Sequence, residues 1–188
     1  MPTSRTQETT TGSVTAVDQL EFRRTMGEFA SGVTVVTAVD GDEPVGFACQ
    51  SFTSVSLDPP LVLFCADHRS RTWPRIRHAG RFSVNILGEQ QDDLCDRFGS
   101  SRGRKFAELA WTTSSWGTPV LAGVLATVHA EVHAVHTAGD HDVVVGHVLG
   151  LQRHREDRPM VFFRSRFGLE ATADHAVVDP WSWIDGWG

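Results

Sequence analysis

The sequence predicts a mainly β fold, an antiparallel barrel with a few short flanking helices. Short runs of β-branched and aromatic residues, each closed by turn residues, recur along the chain. No strand–helix–strand alternation of the parallel kind appears, and the most closely spaced runs read as hairpins. A sandwich would satisfy the same pattern. A barrel is favoured because closure removes exposed strand edges.

The elements follow in order. Residues 1–17 are rich in Thr and Ser with few large apolar side chains, and are expected to form a flexible arm before a single domain over 18–170. Asp18 with Glu21 three residues on predicts an N-cap. Leu20, Phe22, Met26, Phe29 and Ala30 give the following helix one apolar face, and Gly32 is expected to end it. Val33 to Val39 is a strand, Asp40 to Pro44 a turn, and Val45 opens a second strand that enters the stretch VGFACQSFTSVSLDPP. Leu61 to Ala66 is another apolar strand. Ser70 to Ala79 is a short helix whose Pro74 is tolerated only in the first turn.

Phe82 to Leu87 reads as strand, Glu89 to Phe98 as helix, and Gly99 to Lys105 as a cationic loop. Trp111 to Pro119 shows no regular period. Alternation returns over Thr127 to Val135, turns at Gly139-Asp140-His141, and comes back along Asp142 to Leu151. Met160 to Phe167 is read as one last strand, and 171–188 as a Trp-rich tail. Trp73 and the tail tryptophans are candidates for a dimer interface.

A chain of 188 residues is one domain on size and can bury a real core. Seventeen Lys and Arg against 23 Asp and Glu leave a net charge of -6, which argues against a nucleic-acid partner. No basic stretch followed by an apolar run opens the chain, so no signal peptide is expected. The most apolar run, Thr118 to Ala130, contains His129 and is too short to span a bilayer. Cys49, Cys65 and Cys95 are odd in number and lack metal-site spacing. A reducing cytoplasm is the expected home.

The chemistry-bearing candidates are few. Between Gly46 and Ser56 the residues are mostly small or neutral polar, with Phe47 and Phe52 as exceptions. Such a segment brings backbone N–H groups and short hydroxyls close to a flat polar ligand, although an ordinary edge strand would look the same. Ser70, Arg71 and Thr72 sit at a helix N-terminus, where free N–H groups and hydroxyls make either a phosphate seat or a simple cap. Arg102, Arg104 and Lys105 offer charge to a second phosphate, to an acidic partner, or merely to solvent. His129, Glu131 and His133 alternate on one side of a strand. Their spacing suits a solvated face better than a shared metal ion, and no metal is expected. His141 at a hairpin turn stands at a barrel rim. No Rossmann glycine fingerprint and no nucleophile elbow is present.

Taken together, FRRTMGEFASGVTVVTA (Phe22 to Ala38), GFACQSFTSVSLDPPLVLF (Gly46 to Phe64), HRSRTWPRI (His68 to Ile76), FSVNIL (Phe82 to Leu87), the triplet Gly139 to His141 with its downstream VVGHV, and MVFFRSRFGL (Met160 to Leu169) resemble one family. It is the short-chain flavin reductases with an FMN-binding split barrel, the reductase partners of two-component flavin-dependent monooxygenases. The resemblance implies a homodimer with flavin, FMN or FAD, at each barrel rim. Gly46, Ala48, Cys49, Gln50, Ser51, Phe52, Thr53 and Ser54 would line the isoalloxazine, with Val33 and Thr34 beside them. Ser70 and Thr72 would take the flavin phosphate, with Trp73, Arg104, Lys105 and Phe106 among the cofactor contacts.

By the same resemblance His141, the one catalytic candidate, would orient the nicotinamide of NADH or NADPH rather than act as a base. Arg166 and Phe167 would close the far side of that site. Relatives often carry Tyr at the position of Phe167, so stacking is kept and a hydroxyl lost. The implied activity is NAD(P)H:flavin oxidoreduction, with reduced flavin passed to a separate monooxygenase. A flavoenzyme that keeps its flavin for another substrate, or a non-catalytic flavin carrier, is the alternative. The Gly139 to His141 triplet favours the first, since a carrier has no use for a nicotinamide site.

Overall fold

The computed structural model describes residues 17–100 and 103–168, so the expected tail and all but the last residue of the expected arm lie outside the described residues, as does Arg102. The elements run α1 (Gln19–Met26), β1 (Ser31–Gly32), β2 (Thr34–Asp40), β3 (Glu43–Cys49), β4 (Thr53–Leu57), β5 (Pro60–Asp67), α2 (Trp73–Ala79), β6 (Arg81–Ile86), α3 (Asp92–Gly99), β7 (Trp111–Thr113), β8 (Pro119–Leu121), β9 (Ala126–Ala138), β10 (His141–Arg153), β11 (Val161–Phe163) and β12 (Arg166–Phe167).

Seven antiparallel strands form the main sheet in the order β3-β2-β6-β9-β10-β5-β4. Its two edge strands, β3 and β4, are consecutive in sequence and joined by residues 50–52 alone, so the sheet curls back until the end of β3 lies near the start of β4. The seam is drawn together where the Cys65 N–H of β5 donates to Ser51 Oγ at 2.8 Å. Strand alternation then separates two apolar layers. Val36, Ala38, Phe47, Phe64, Phe82, Val84 and Val144 fill the barrel, while Val35, Ala48 and Leu87 point outward against Leu94, Cys95 and Phe98 of α3. Helix α2 plugs one barrel end with Trp73 and Ile76, and Phe64 meets Trp73 edge-to-face at 5.8 Å and Phe82 at 5.3 Å.

Several expectations are corrected. Asp18 does cap α1, its Oδ1 accepting from Leu20 and Glu21 N–H at 3.0 Å. The helix nevertheless stops at Met26, capped by Gly27, and the backbone through Ser31–Gly32 pairs as β1 with β11 instead of ending a helix. None of its residues is buried. Trp111 to Pro119, without period in the sequence, supplies the β7–β8 hairpin. Met160 to Phe167 is a hairpin rather than one strand, turning through Arg164 (φ 47°) and Ser165 (φ 66°). Two successive positive φ values suit the right-handed twist of a tight hairpin. The α3 helix begins at Asp92, later than Glu89. Trp73 is 3% exposed and belongs to the core, not to a dimer surface.

His129 departs from the solvated face expected of it. It is fully buried, its Nδ1 hydrogen-bonded to Ser83 Oγ at 2.8 Å, and the indole of Trp116 stacks on it at 4.4 Å. The β7–β8 hairpin covers that side of β9, which the alternation of one strand cannot reveal.

Candidate functional site

Gly46 in mid-β3 owes its size to packing. A Cβ there would stand 2.9 Å from the Val36 carbonyl oxygen and 3.0 Å from Phe98 Cε1. Its own carbonyl faces the loop after α3, where Lys105 Nζ donates to Gly46 O at 3.2 Å and to Phe98 O at 3.0 Å. Burial of that ammonium pushes its pKa down to about 8. The loop Gly103–Ala107, the first half of β3, and Thr72 and Arg75 of the α2 turn enclose a cavity of about 520 Å³. Arg75 is committed elsewhere, to Asp40 at 2.7 Å and Glu43 at 2.8 Å. Arg104 lines the same cavity and is exposed. Phe106 braces the loop edge-to-face against Phe98 and Trp111.

The second part of the site is the bridge from β3 to β4. Val33, Thr34, Ala48 and Cys49 are buried, so only their backbone faces a ligand; Thr34 Oγ1 donates to Cys49 O at 2.9 Å. Phe52 is half-buried against the barrel core, while Gln50 is half-exposed and Ser51, Thr53 and Ser54 are open. Ser51 Oγ lies 3.3 Å from Cys49 Sγ in addition to holding Cys65. The three cysteines are free thiols. Burial pushes the Cys49 thiol up and the Cys95 thiol to about 12, so neither is a nucleophile at neutral pH.

The third part is the corner where β10 begins. His141 pairs in register with Asp67 at the end of β5, and His68 N–H donates to Asp140 O at 3.0 Å. The start of β10 is thereby laid beside the turn that leads into α2. Ser70 Oγ accepts from Thr72 N–H at 3.2 Å and Trp73 N–H at 3.0 Å, capping the helix. His141 Nδ1 meets Asp140 Oδ1 at 2.7 Å, which holds the Asp140 carboxyl below the usual carboxylate range. The Arg69 guanidinium does the same for Asp67.

The structure therefore brings Gly46, Thr72, Arg104, Lys105 and Phe106 around one cavity, with Ser70 and His141 at its neighbouring corner. Phe167 packs on Phe162 at 5.5 Å and on the cluster around Val33 and Leu87, on the Thr34 side rather than beside His141. Arg166 precedes it on the same exposed hairpin. Sequence reading missed Asp142, whose carboxylate accepts from Trp73 Nε1 and pairs with His68. Its position directly after His141 was the only available signal. Among the described residues no three His, Cys, Asp or Glu side chains are placed to share a metal ion, and no helix is long and apolar enough to cross a membrane.

Residues 26–169 match the flavin reductase like domain. The chain is 47% identical over 167 residues to the flavin-dependent monooxygenase reductase subunit HsaB of Rhodococcus jostii, covering 88% of this chain and 85% of that one. The crystal structure of nitrilotriacetate monooxygenase component B from Mycobacterium thermoresistibile is similar at 45% identity and a TM-score of 0.77, over 85% of this chain and 94% of that one. The Streptomyces globisporus NADH:FAD oxidoreductase SgcE6, in complex with NAD and FAD fragments, is similar at 35% identity and a TM-score of 0.77, over 84% and 96%.

Proposed function

The chain belongs to the flavin reductase like domain family, and from that premise we propose that it is an NAD(P)H:flavin oxidoreductase supplying reduced flavin to a separate monooxygenase. The observation that carries the reading is the corner itself. Backbone pairing of Asp67 with His141, and of His68 with Asp140, sets a hydroxyl-bearing helix turn beside a half-exposed histidine. That juxtaposition suits a flavin phosphate and a nicotinamide nucleotide occupying one groove.

The residues present fit a flavin. A cavity of about 520 Å³ is the size of a cofactor site, and Lys105 gives it a partly buried cation. Thr72 and Ser70 would hold the phosphate, with Lys105 and Arg104 supplying charge. The small residues Gly46 to Ser54 would line the ring plane, and Val33, Thr34, Trp73 and Phe106 would hold its surroundings rigid. When bound, the flavin supplies a hydride acceptor at N5 and the reduced nicotinamide a hydride donor at C4. The protein orients the two and excludes unproductive poses. With its Nδ1 held by Asp140, His141 would offer the opposite edge of its ring to the nicotinamide.

The oligomer we propose is a homodimer. Leu20, Phe22 and Met26 of α1 and Phe29 just after it are exposed, Phe29 to 74%, and Leu57 of the edge strand β4 is 94% exposed. A second copy of the chain would cover these, and Arg166 and Phe167 would close the site from its far side. Three free thiols suit a reducing cytoplasm.

The test is oxidation of NADH and NADPH by purified protein, followed by the near-ultraviolet absorbance of the reduced nicotinamide, with FMN, FAD or no added flavin. Turnover that depends on added flavin, with one donor preferred, is expected. Bound flavin without turnover would overturn the reading in favour of a carrier.

A further inference from the structure

Asp142 is 7% exposed, yet its carboxylate gathers donors from three separate segments. Trp73 Nε1 of α2 donates to Oδ2 at 2.9 Å. His68 Nε2, on the turn before α2, meets Oδ1 at 3.0 Å, and Thr137 Oγ1 of β9 donates to Oδ1 at 3.2 Å. Arg77, further along α2, brings a guanidinium to 4.0 Å from Oδ2. The Trp73 indole first, then the His68 ring and the Thr137 hydroxyl, hold the carboxyl below the usual carboxylate range. A barrel core tolerates a carboxylate only when its lone pairs are so occupied. Packing alone does not require one here, because Trp73 is already gripped by Phe64 and its own helix.

The three segments are the ones the proposed reaction needs in register. His68 and Trp73 bracket Ser70 and Thr72, and Thr137 stands opposite Asp142 across the hairpin that presents His141. We propose that Asp142 is a positioning residue for hydride transfer: its carboxylate ties the flavin-phosphate turn to the histidine corner and so fixes the nicotinamide relative to the flavin. The inference rests on the reductase reading above. It concerns how the two halves of the site are aligned, not how either ligand is held. A displacement of about 1 Å between reacting atoms can cost on the order of a hundredfold in rate.

The experiment compares the parent with Asp142→Asn, Trp73→Phe and Thr137→Val. Trp73→Phe deletes the indole N–H and keeps a ring against Phe64; Thr137→Val is nearly isosteric. Flavin alone and oxidised nicotinamide nucleotide alone are titrated by fluorescence. Hydride transfer is then measured in anaerobic single turnover with ordinary and 4-deuterated donor, together with the long-wavelength charge-transfer absorbance of the stacked rings.

For Asp142→Asn both single-ligand affinities are expected within about threefold of the parent, with transfer slowed about tenfold or more, a larger deuterium effect and a weaker charge-transfer band. Trp73→Phe and Thr137→Val are expected to follow in smaller measure, and they decide the matter should Asp142→Asn fail to fold. A purely structural role would instead lower the melting temperature and the active fraction while leaving the isotope effect and band per active site unchanged. That result, or parental transfer in folded variants, overturns the inference. A parent protein without flavin-dependent turnover would instead overturn the reading beneath it, before any variant is compared.

Discussion

Lys105 hangs its ammonium between the carbonyls of Gly46 and Phe98, 3.2 and 3.0 Å away, and so ties the end of α3 to the middle of β3. The contact leaves the cation at the cavity wall with its pKa down to about 8. Near neutral pH it is charged and attracts an anion. Above about 8 it is neutral in the folded protein and does not.

Flavin affinity is therefore expected to weaken as pH rises through about 8, and Lys105→Met is expected to be weaker throughout and flat in that range. The loss is not unfolding, as the sign of the linkage shows. Between about 8 and 10.5 the unfolded chain keeps a proton that the folded chain has shed, so this lysine makes stability rise with pH. Flavin titrations beside thermal melts across the range check both halves. A pH-independent affinity in the parent would remove Lys105 from the phosphate's surroundings.

Replacing His141 is expected to act on the other substrate. The Asp140 carboxylate 2.7 Å from Nδ1 fixes the ring's orientation, and His141 is not among the residues that line the cavity beside Lys105. His141→Ala is expected to raise the KM for reduced nicotinamide about tenfold, roughly 1.4 kcal/mol, and to change flavin affinity by much less. Steady-state kinetics and flavin titration on one preparation distinguish the two. Lost flavin affinity with an unchanged nicotinamide KM would sink the assignment.

What could be read in advance followed from range. The long strands β2, β3, β5, β6, β9 and β10 announced themselves because β-branched runs and alternation are local signals. The β7–β8 hairpin did not, since strands of three residues are too short to show a period. The turn in MVFFRSRFGL stayed hidden because Arg164 and Ser165 adopt positive φ without glycine or asparagine to mark it. The same limit governs the site. Ser70, Thr72, Lys105 and His141 carry recognisable chemistry, but Lys105 meets Gly46 and Asp142 meets Trp73 across 59 and 69 residues of sequence. Those pairings come from barrel register, which no single segment encodes.

Gly46→Ala probes the close packing of β3 beneath α3. The new methyl would sit 2.9 Å from a backbone oxygen and 3.0 Å from the Phe98 ring, and a backbone oxygen in mid-sheet cannot step aside. A destabilisation of about 1–3 kcal/mol is expected, read as a lower denaturant midpoint. The shift should carry Phe98 with it and loosen the Lys105 contact, so flavin affinity should fall in the same variant. Unchanged stability would mean that the strand and helix separate more easily than their contacts suggest.

The buried His129 should make the protein sensitive to acid. Burial beneath Trp116 lowers its pKa below the ordinary 6.5, with the nearby His154 adding to that and the Gln152 contact opposing it. The folded chain thus resists taking up the proton that the unfolded chain accepts as pH falls below 6.5. The unfolded state then binds more protons, so stability declines with falling pH until the folded pKa is passed. In His129→Gln no such proton exists. That variant is expected to be less stable at pH 7, because Ser83 and Thr118 lose their partner and Trp116 its stacking surface. Its stability should also fall less steeply below pH 6.5 than the parent's. Gly150→Ala sharpens the test, since a methyl there would lie 2.3 Å from the Trp116 ring and would have to push the indole off His129. With the cover displaced, water reaches the imidazole and the acid sensitivity should shrink toward that of His129→Gln. Denaturant titrations of the three proteins at a series of pH values give the slopes directly. Parallel slopes for parent and His129→Gln would show that some other group governs the acid response.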